Sequence, residues 1–270
     1  MPTRNPVLSR PDAWQVPGGA QTQTFQQPGA YPPPGYGDPN AAQFAPAPVA
    51  NDRMTIDDVL TKSAVTLGTL AAVAVLTFLF LPPALLLPAM VVGALGSFVP
   101  VLLVSFRRTV NPAFVLAYAA IEGVFIGAVS AMYEGMWNGI VPAALAGTVF
   151  AAAATLGAYK FFRIKVTSKF RKMVIIGTMA YAGLLLVNFI LSFFGLAFIT
   201  AGTMTIWALV FSAVGIGLAV FNLIMDFDYI EQGIAMGAPA SESWRGAFGL
   251  TVTLVWLYVE LLRLLSYFRN

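Results

Sequence analysis

The amino-acid sequence predicts an all-α membrane protein, a polytopic bundle of seven transmembrane helices behind a disordered N-terminal tail. Three observations predict it. Of 270 residues, 58% are hydrophobic and only 10% charged, against about 25% charged in a soluble domain, so much apolar surface must face lipid. Seven windows each hold about 20 mainly apolar residues, the length that crosses a bilayer. Lysine and arginine are confined to alternate connections between those windows, the pattern of membrane topology.

The tail, residues 1–53, carries stretches such as QQPGAYPPPGYGDPN, which cannot bury enough surface to fold. It lacks the apolar core of a signal peptide. Its Pro-Tyr content suits a partner's aromatic groove, and a solvated tail without a fixed partner is the other reading. The membrane domain is read over 54–270. The first span covers about 63–81 and stops at Pro82-Pro83, because proline cannot continue a helix. The second runs over about 84–106 and is stopped by Arg107 and Arg108. Asn111-Pro112 opens the third, about 112–132. The fourth, about 139–161, has Gly147, Ala151 to Ala154 and Gly157 for close helix packing. The fifth, sixth and seventh cover about 172–194, 203–226 and 246–268.

The tail and the second, fourth and sixth connections hold Lys62, Arg107, Arg108, Lys160, Arg163, Lys165, Lys169, Arg171, Lys172 and Arg245, among others. The first, third and fifth hold no Lys or Arg. The N-terminus is therefore expected in the cytoplasm and the C-terminus outside, in a multi-pass protein of the cell membrane. A net charge of +3 in short clusters does not make a nucleic-acid face. Without His or Cys, the commonest metal ligands, the usual general base and thiol chemistry are all missing. No cofactor and no enzymatic activity are expected. Span seven contains no Lys for a retinal Schiff base, and no internal repeat suggests a secondary transporter.

Five acids fall within or beside spans: Glu122, Asp226, Asp228, Glu231 and Glu260. Asp12, Asp38, Asp52, Asp57, Asp58, Glu134 and Glu242 read as tail or loop residues. An ionisable group inside a bilayer usually faces protein or water. Glu122, between Ile121 and Gly123 in span three, is either a pore-lining or proton-accepting carboxyl, or a protonated acid hydrogen-bonded to a neighbouring helix. Gly123 and Gly127 would let that helix come close. Asp226 and Asp228 are two residues apart and lie on nearly opposite helix faces, so at most one is expected to point inward. Asp226 is the inward candidate, Asp228 reads as solvated, and Glu231 as exposed. Glu260 either pairs with Arg263 three residues on, or stands alone while Arg263 snorkels outward. Carboxylates from different helices in one cavity can share a proton and bind hard cations such as calcium, with Asp226 as the metal ligand. Glycines 233 and 237 are expected to let the segment after span six move.

Seven spans, a cytoplasmic N-terminus and the acidic exit from span six, read as Met225, Asp226, Phe227 and Ile230, resemble the Bax-inhibitor (transmembrane BAX inhibitor motif) family, including its bacterial YccA-like members. The resemblance covers about residues 55–270. It implies a pH-responsive cation leak channel that passes calcium, the ion being bound at most transiently. Asp226 takes the place of the family's span-six aspartate, which pairs with an aspartate of span seven. An arginine near the end of span two acts as a latch, here Arg107 or Arg108, with Arg107 nearer the span. Span seven departs from the pattern. Anchored on Gly246-Ala247 and Leu262-Arg263-Leu264-Leu265, Thr253 stands at the aspartate's position. Anchored on Leu257-Tyr258-Val259-Glu260, Glu260 does. Glu260 could instead partner Glu122. The resemblance also implies an alternative role, a membrane-embedded regulator of a membrane protease without transport activity.

Overall fold

The computed structural model describes residues 53–107, 109–162, 164–197 and 206–269. The expected tail lies outside the described residues as far as Asp52, and Arg108 lies outside them too. Among the described residues there are seven helices, each long and apolar enough to cross a membrane. They are α1 (Ile56–Phe80), α2 (Leu86–Phe106), α3 (Pro112–Met136), α4 (Ile140–Phe161), α5 (Ser168–Ser192), α6 (Ile206–Ala235) and α7 (Glu242–Tyr267).

Their ends follow from local chemistry. Thr55 accepts the Asp58 amide at 3.2 Å, with Asp57 and Asp58 in the first turn, so α1 starts seven residues before the expected span. These two acids belong to a helix N-terminus, where negative charge is favoured. Leu81 is extended, as a residue before proline must be, and a short 3-10 turn, Pro83–Leu85, leads into α2. Asn111 caps α3 through Ala113 N at 2.9 Å, and Pro112 occupies the first helical position.

Glu134, read from sequence as a loop acid, lies in the last turn of α3 and caps the next helix. Its two carboxylate oxygens accept Gly139 N at 2.5 Å and Val141 N at 2.9 Å. Glu134→Ala is expected to cost about 1–2 kcal/mol, as loss of a helix cap does. Thermal unfolding of the purified protein in detergent checks this, and an unchanged midpoint would show that the capping bonds carry no stability.

The largest boundary difference is at α6. The helix runs nine residues past Asp226, so Asp226, Asp228 and Glu231 are all helical. Leu223, Ile230 and Ile234 keep an apolar stripe going on one side, and the acids are satisfied laterally. Gly237 ends the helix at φ 66°, with Gly237 N on Ile234 O at 3.0 Å and Ala238 N on Gly233 O at 2.9 Å. Gly233, expected to give mobility, is instead buried in α6 against Met54.

α3 and α7 are the most buried helices. α3 packs on α1 and α2, while α7 packs on α1, α3, α4 and α6. The closest approach is between α1 and α3: a Cβ on Gly123 would lie 2.7 Å from the Leu70 carbonyl oxygen. Of the small residues expected to pack closely on α4, Gly147 meets Leu261 of α7, while Gly157 faces open space and Ala153 and Ala154 are exposed. Ahead of α1, Met54 N donates to Ala238 O at 2.7 Å and Lys62 Nζ to Ala240 O at 2.8 Å, which ties the start of α1 to the α6–α7 turn.

Candidate functional site

The candidate side chains Asp226, Thr253 and Glu260 lie on α6 and α7. α7 presents Gly249 and Thr253 four residues apart, hence one above the other on one face. α6 places Asp226 against them. Thr253 Oγ1 donates to Asp226 Oδ2 at 2.6 Å, and a Cβ on Gly249 would stand 3.0 Å from Asp226 Oδ1. The absent side chain at 249 makes room for the carboxylate. No ion pair to Asp226 forms among the described residues. Of the two span-seven registers, the structure realises the one that puts Thr253 at the partner's place.

Glu260 is not the partner of Asp226. It sits two turns further along α7, about 10 Å in rise from Thr253, and has its own partners. Its carboxylate is fully buried. Arg263 Nη1 lies 3.2 Å from both oxygens, and Tyr181 of α5 donates its hydroxyl to Oε1 at 2.9 Å. This is the intrahelical pair, and Arg263 does not snorkel away. The neighbouring turn of α6 makes space: a Cβ on Gly215 would come within 2.7 Å of the Glu260 carboxyl carbon. Trp256 stacks on the Tyr181 ring at 5.8 Å. Nor does Glu260 meet Glu122. Glu122 is buried in α3. The close neighbour predicted by Gly123 and Gly127 is α1.

Asp228 corrects the expectation of a solvated acid. It is 7% exposed, forms an ion pair with Arg171 of α5 at 3.1 Å and accepts Gln232 Nε2 at 2.6 Å. Two residues on a helix turn through about 200°, so Asp226 and Asp228 do face apart. Both nevertheless face protein, because a different helix lies on each side. Glu231 is exposed, as expected, and accepts the Tyr159 hydroxyl at 2.5 Å. Arg107, the latch candidate, caps the end of α2. Its guanidinium lies 4.9 Å over the Phe114 ring, and its backbone carbonyl accepts Arg245 Nη2 at 3.0 Å. It forms no ion pair with Asp226 in this conformation.

Among the described residues no three acids gather as a metal-holding group. Asp226 presents one carboxylate beside the Thr253 hydroxyl, a pair whose chemistry is oxygen donation of the kind hard cations take. Tyr181, Gly215, Arg171 and Glu134 were not singled out from sequence as site or capping residues. Gly215, in an apolar span with a glycine two residues on, was the readable signal.

A family model described as Bax inhibitor 1 like matches residues 5–270. The match begins inside the Pro-rich tail, which the sequence resemblance had placed outside. Comparison with curated proteins yields no match.

Proposed function

The chain belongs to the Bax inhibitor 1 like family of multi-pass membrane proteins, and from that premise we propose that it is a cation leak channel that passes calcium and is gated by protonation of Asp226. The observation that carries the reading is the Asp226 carboxylate in the α6–α7 seam, held by the Thr253 hydroxyl with no opposing cation among the described residues. A charged carboxylate at membrane depth is costly. Its charge therefore weighs on which helix packing is favoured, and a proton that cancels the charge shifts the balance. Charged, Asp226 offers a calcium ion its attraction; neutral, it does not. The distribution of Lys and Arg supports a cytoplasmic N-terminus, with Asp226 nearer that side. The proposal involves no covalent chemistry and no resident cofactor. The latch assigned to Arg107 or Arg108 acts, in this reading, in a second conformation in which Arg107 has left Phe114.

The test is calcium influx into liposomes loaded with a calcium dye, measured across external pH steps. Wild type is expected to change its flux by about tenfold between the two protonation states, a bias of about 1.4 kcal/mol. Asp226→Asn keeps an acceptor for Thr253 and is expected to flatten the pH response. Flux from inserted protein no greater than from empty liposomes would overturn the channel reading and favour a regulatory partner of a membrane protease.

A further inference from the structure

A groove of about 1050 Å³ lies between the start of α1, the end of α4 and the end of α6. This matches the top of the range for ligand pockets, roughly 300–1,000 Å³. Its walls are apolar and open. Ile56, Leu60 and Leu156 line it and are 51%, 60% and 40% exposed. Phe227 and Ile234 of α6 and Leu250 of α7 are among the other apolar residues that line it.

The charged groups that line the groove divide unevenly. The acids are already engaged, Asp228 by Arg171 and Gln232, and Glu231 by the Tyr159 hydroxyl. The cations are not. Lys160, in the last turn of α4, and Lys165, just beyond it, both line the groove and form no ion pair among the described residues. Glu231 keeps its charge, so with Asp228 neutralised by Arg171 two lysines face one carboxylate, and this net positive charge beside an apolar cleft, at the end of membrane-spanning helices, fits a ligand with an anionic head and a hydrocarbon tail. A zwitterionic lipid fills the cleft but brings its own cation up beside the lysines. A soluble anion matches the lysines but leaves the cleft empty.

We propose that this groove is a binding site for an anionic phospholipid of the adjacent leaflet, with its phosphate on Lys160 and Lys165 and an acyl chain between Leu60, Leu156 and Ile234. The site is independent of the channel reading. It does touch the same turn of α6, because Phe227 and Asp228 line the groove and directly follow Asp226. An occupant therefore bears on the helix that carries that carboxylate.

Native mass spectrometry of the full-length protein in detergent tests it, with phosphatidylglycerol and phosphatidylcholine offered at equal concentration. Wild type is expected to retain phosphatidylglycerol about tenfold more strongly, as two cations near a membrane surface allow. Lys160→Gln with Lys165→Gln should remove most of that preference. Leu156→Trp, which fills the cleft, should lower retention of the lipid with the lysines intact. The exposed pair Lys169→Gln with Lys172→Gln serves as a control and should leave the preference in place. Helical circular dichroism shows that each variant is folded. Equal retention of the two lipids by wild type overturns the proposal. So does an equal loss in the Lys169 and Lys172 control, which would mean general surface attraction. Displacement of the lipid by glycerol phosphate would also overturn it, by making the site one for a soluble anion. Crosslinking of the groove to residues 1–52 in place of lipid would assign it to the chain's own tail.

Discussion

Replacing Arg263 with Ala is expected to destabilise the protein by about 3–5 kcal/mol, the cost of stranding a buried charge. Glu260 is completely buried, and among the described residues Arg263 and the Tyr181 hydroxyl hold its carboxylate. Once the guanidinium is gone, one hydroxyl must serve a carboxylate with no access to water. The same cost is expected for Glu260→Ala, which leaves the arginine side chain, itself only 15% exposed, without its acid. The double change Glu260→Gln with Arg263→Met removes both charges, keeps an acceptor for Tyr181 and should recover most of the loss. Thermal unfolding in detergent reads all three. If the double variant is as unstable as the worse single one, the charges do not interact as described and side-chain packing accounts for the loss.

The second large effect is steric. Gly127→Leu is expected to abolish accumulation of folded protein. A Cβ at Gly127 collides with the Ala74 carbonyl oxygen and comes within 2.6 Å of Thr77 Cβ. The obstacle is the backbone of α1, which no rotamer change can move. Gly127→Ala already adds one methyl to this seam and should cost about 1–3 kcal/mol, the usual penalty for overpacking. Gly157→Leu on α4, where nothing stands within 4 Å, is the matched control and should fold normally. Monodisperse yield after detergent extraction separates the two. Equal damage from both substitutions would mean that leucine at any glycine is harmful here, and that α1 and α3 are not specially close.

The seven helices were legible because bilayer thickness imposes a length and low dielectric imposes an apolar composition, and both are written residue by residue. The exit from α6 was less so. A run of three acids in six residues reads as a loop when acids are assumed to seek water. The helix continues because Asp228 and Glu231 find Arg171 and Tyr159 on other helices, and those partners are 57 and 72 residues away in the chain. The choice of Thr253 over Glu260 was readable in outline: two anchors supported that register against one. The spacing within span seven offered the Glu260–Arg263 pair; what it could not supply was the rest of the acid's surroundings, since Tyr181 sits on α5 and the space for it is made by Gly215 on α6. Glu134 was misread for the same reason as Asp228. Its role as a cap depends on where the next helix begins.

The way α5 is attached has a consequence for its register. Val174 and Tyr181 are its buried residues, and it packs on α6. It is held at three depths by directional bonds: Arg171 to Asp228, Asn222 Nδ2 to Thr178 at 2.8 Å, and Tyr181 to Glu260. In a bilayer, apolar side chains gain nothing by leaving lipid for each other, so grease does not choose where α5 rests. The three polar fasteners do. Sliding α5 by one residue turns each of its donors and acceptors through about 100° and undoes all three together. The helix is therefore buttoned to the bundle in a single alignment, and it leaves that alignment as a unit or not at all.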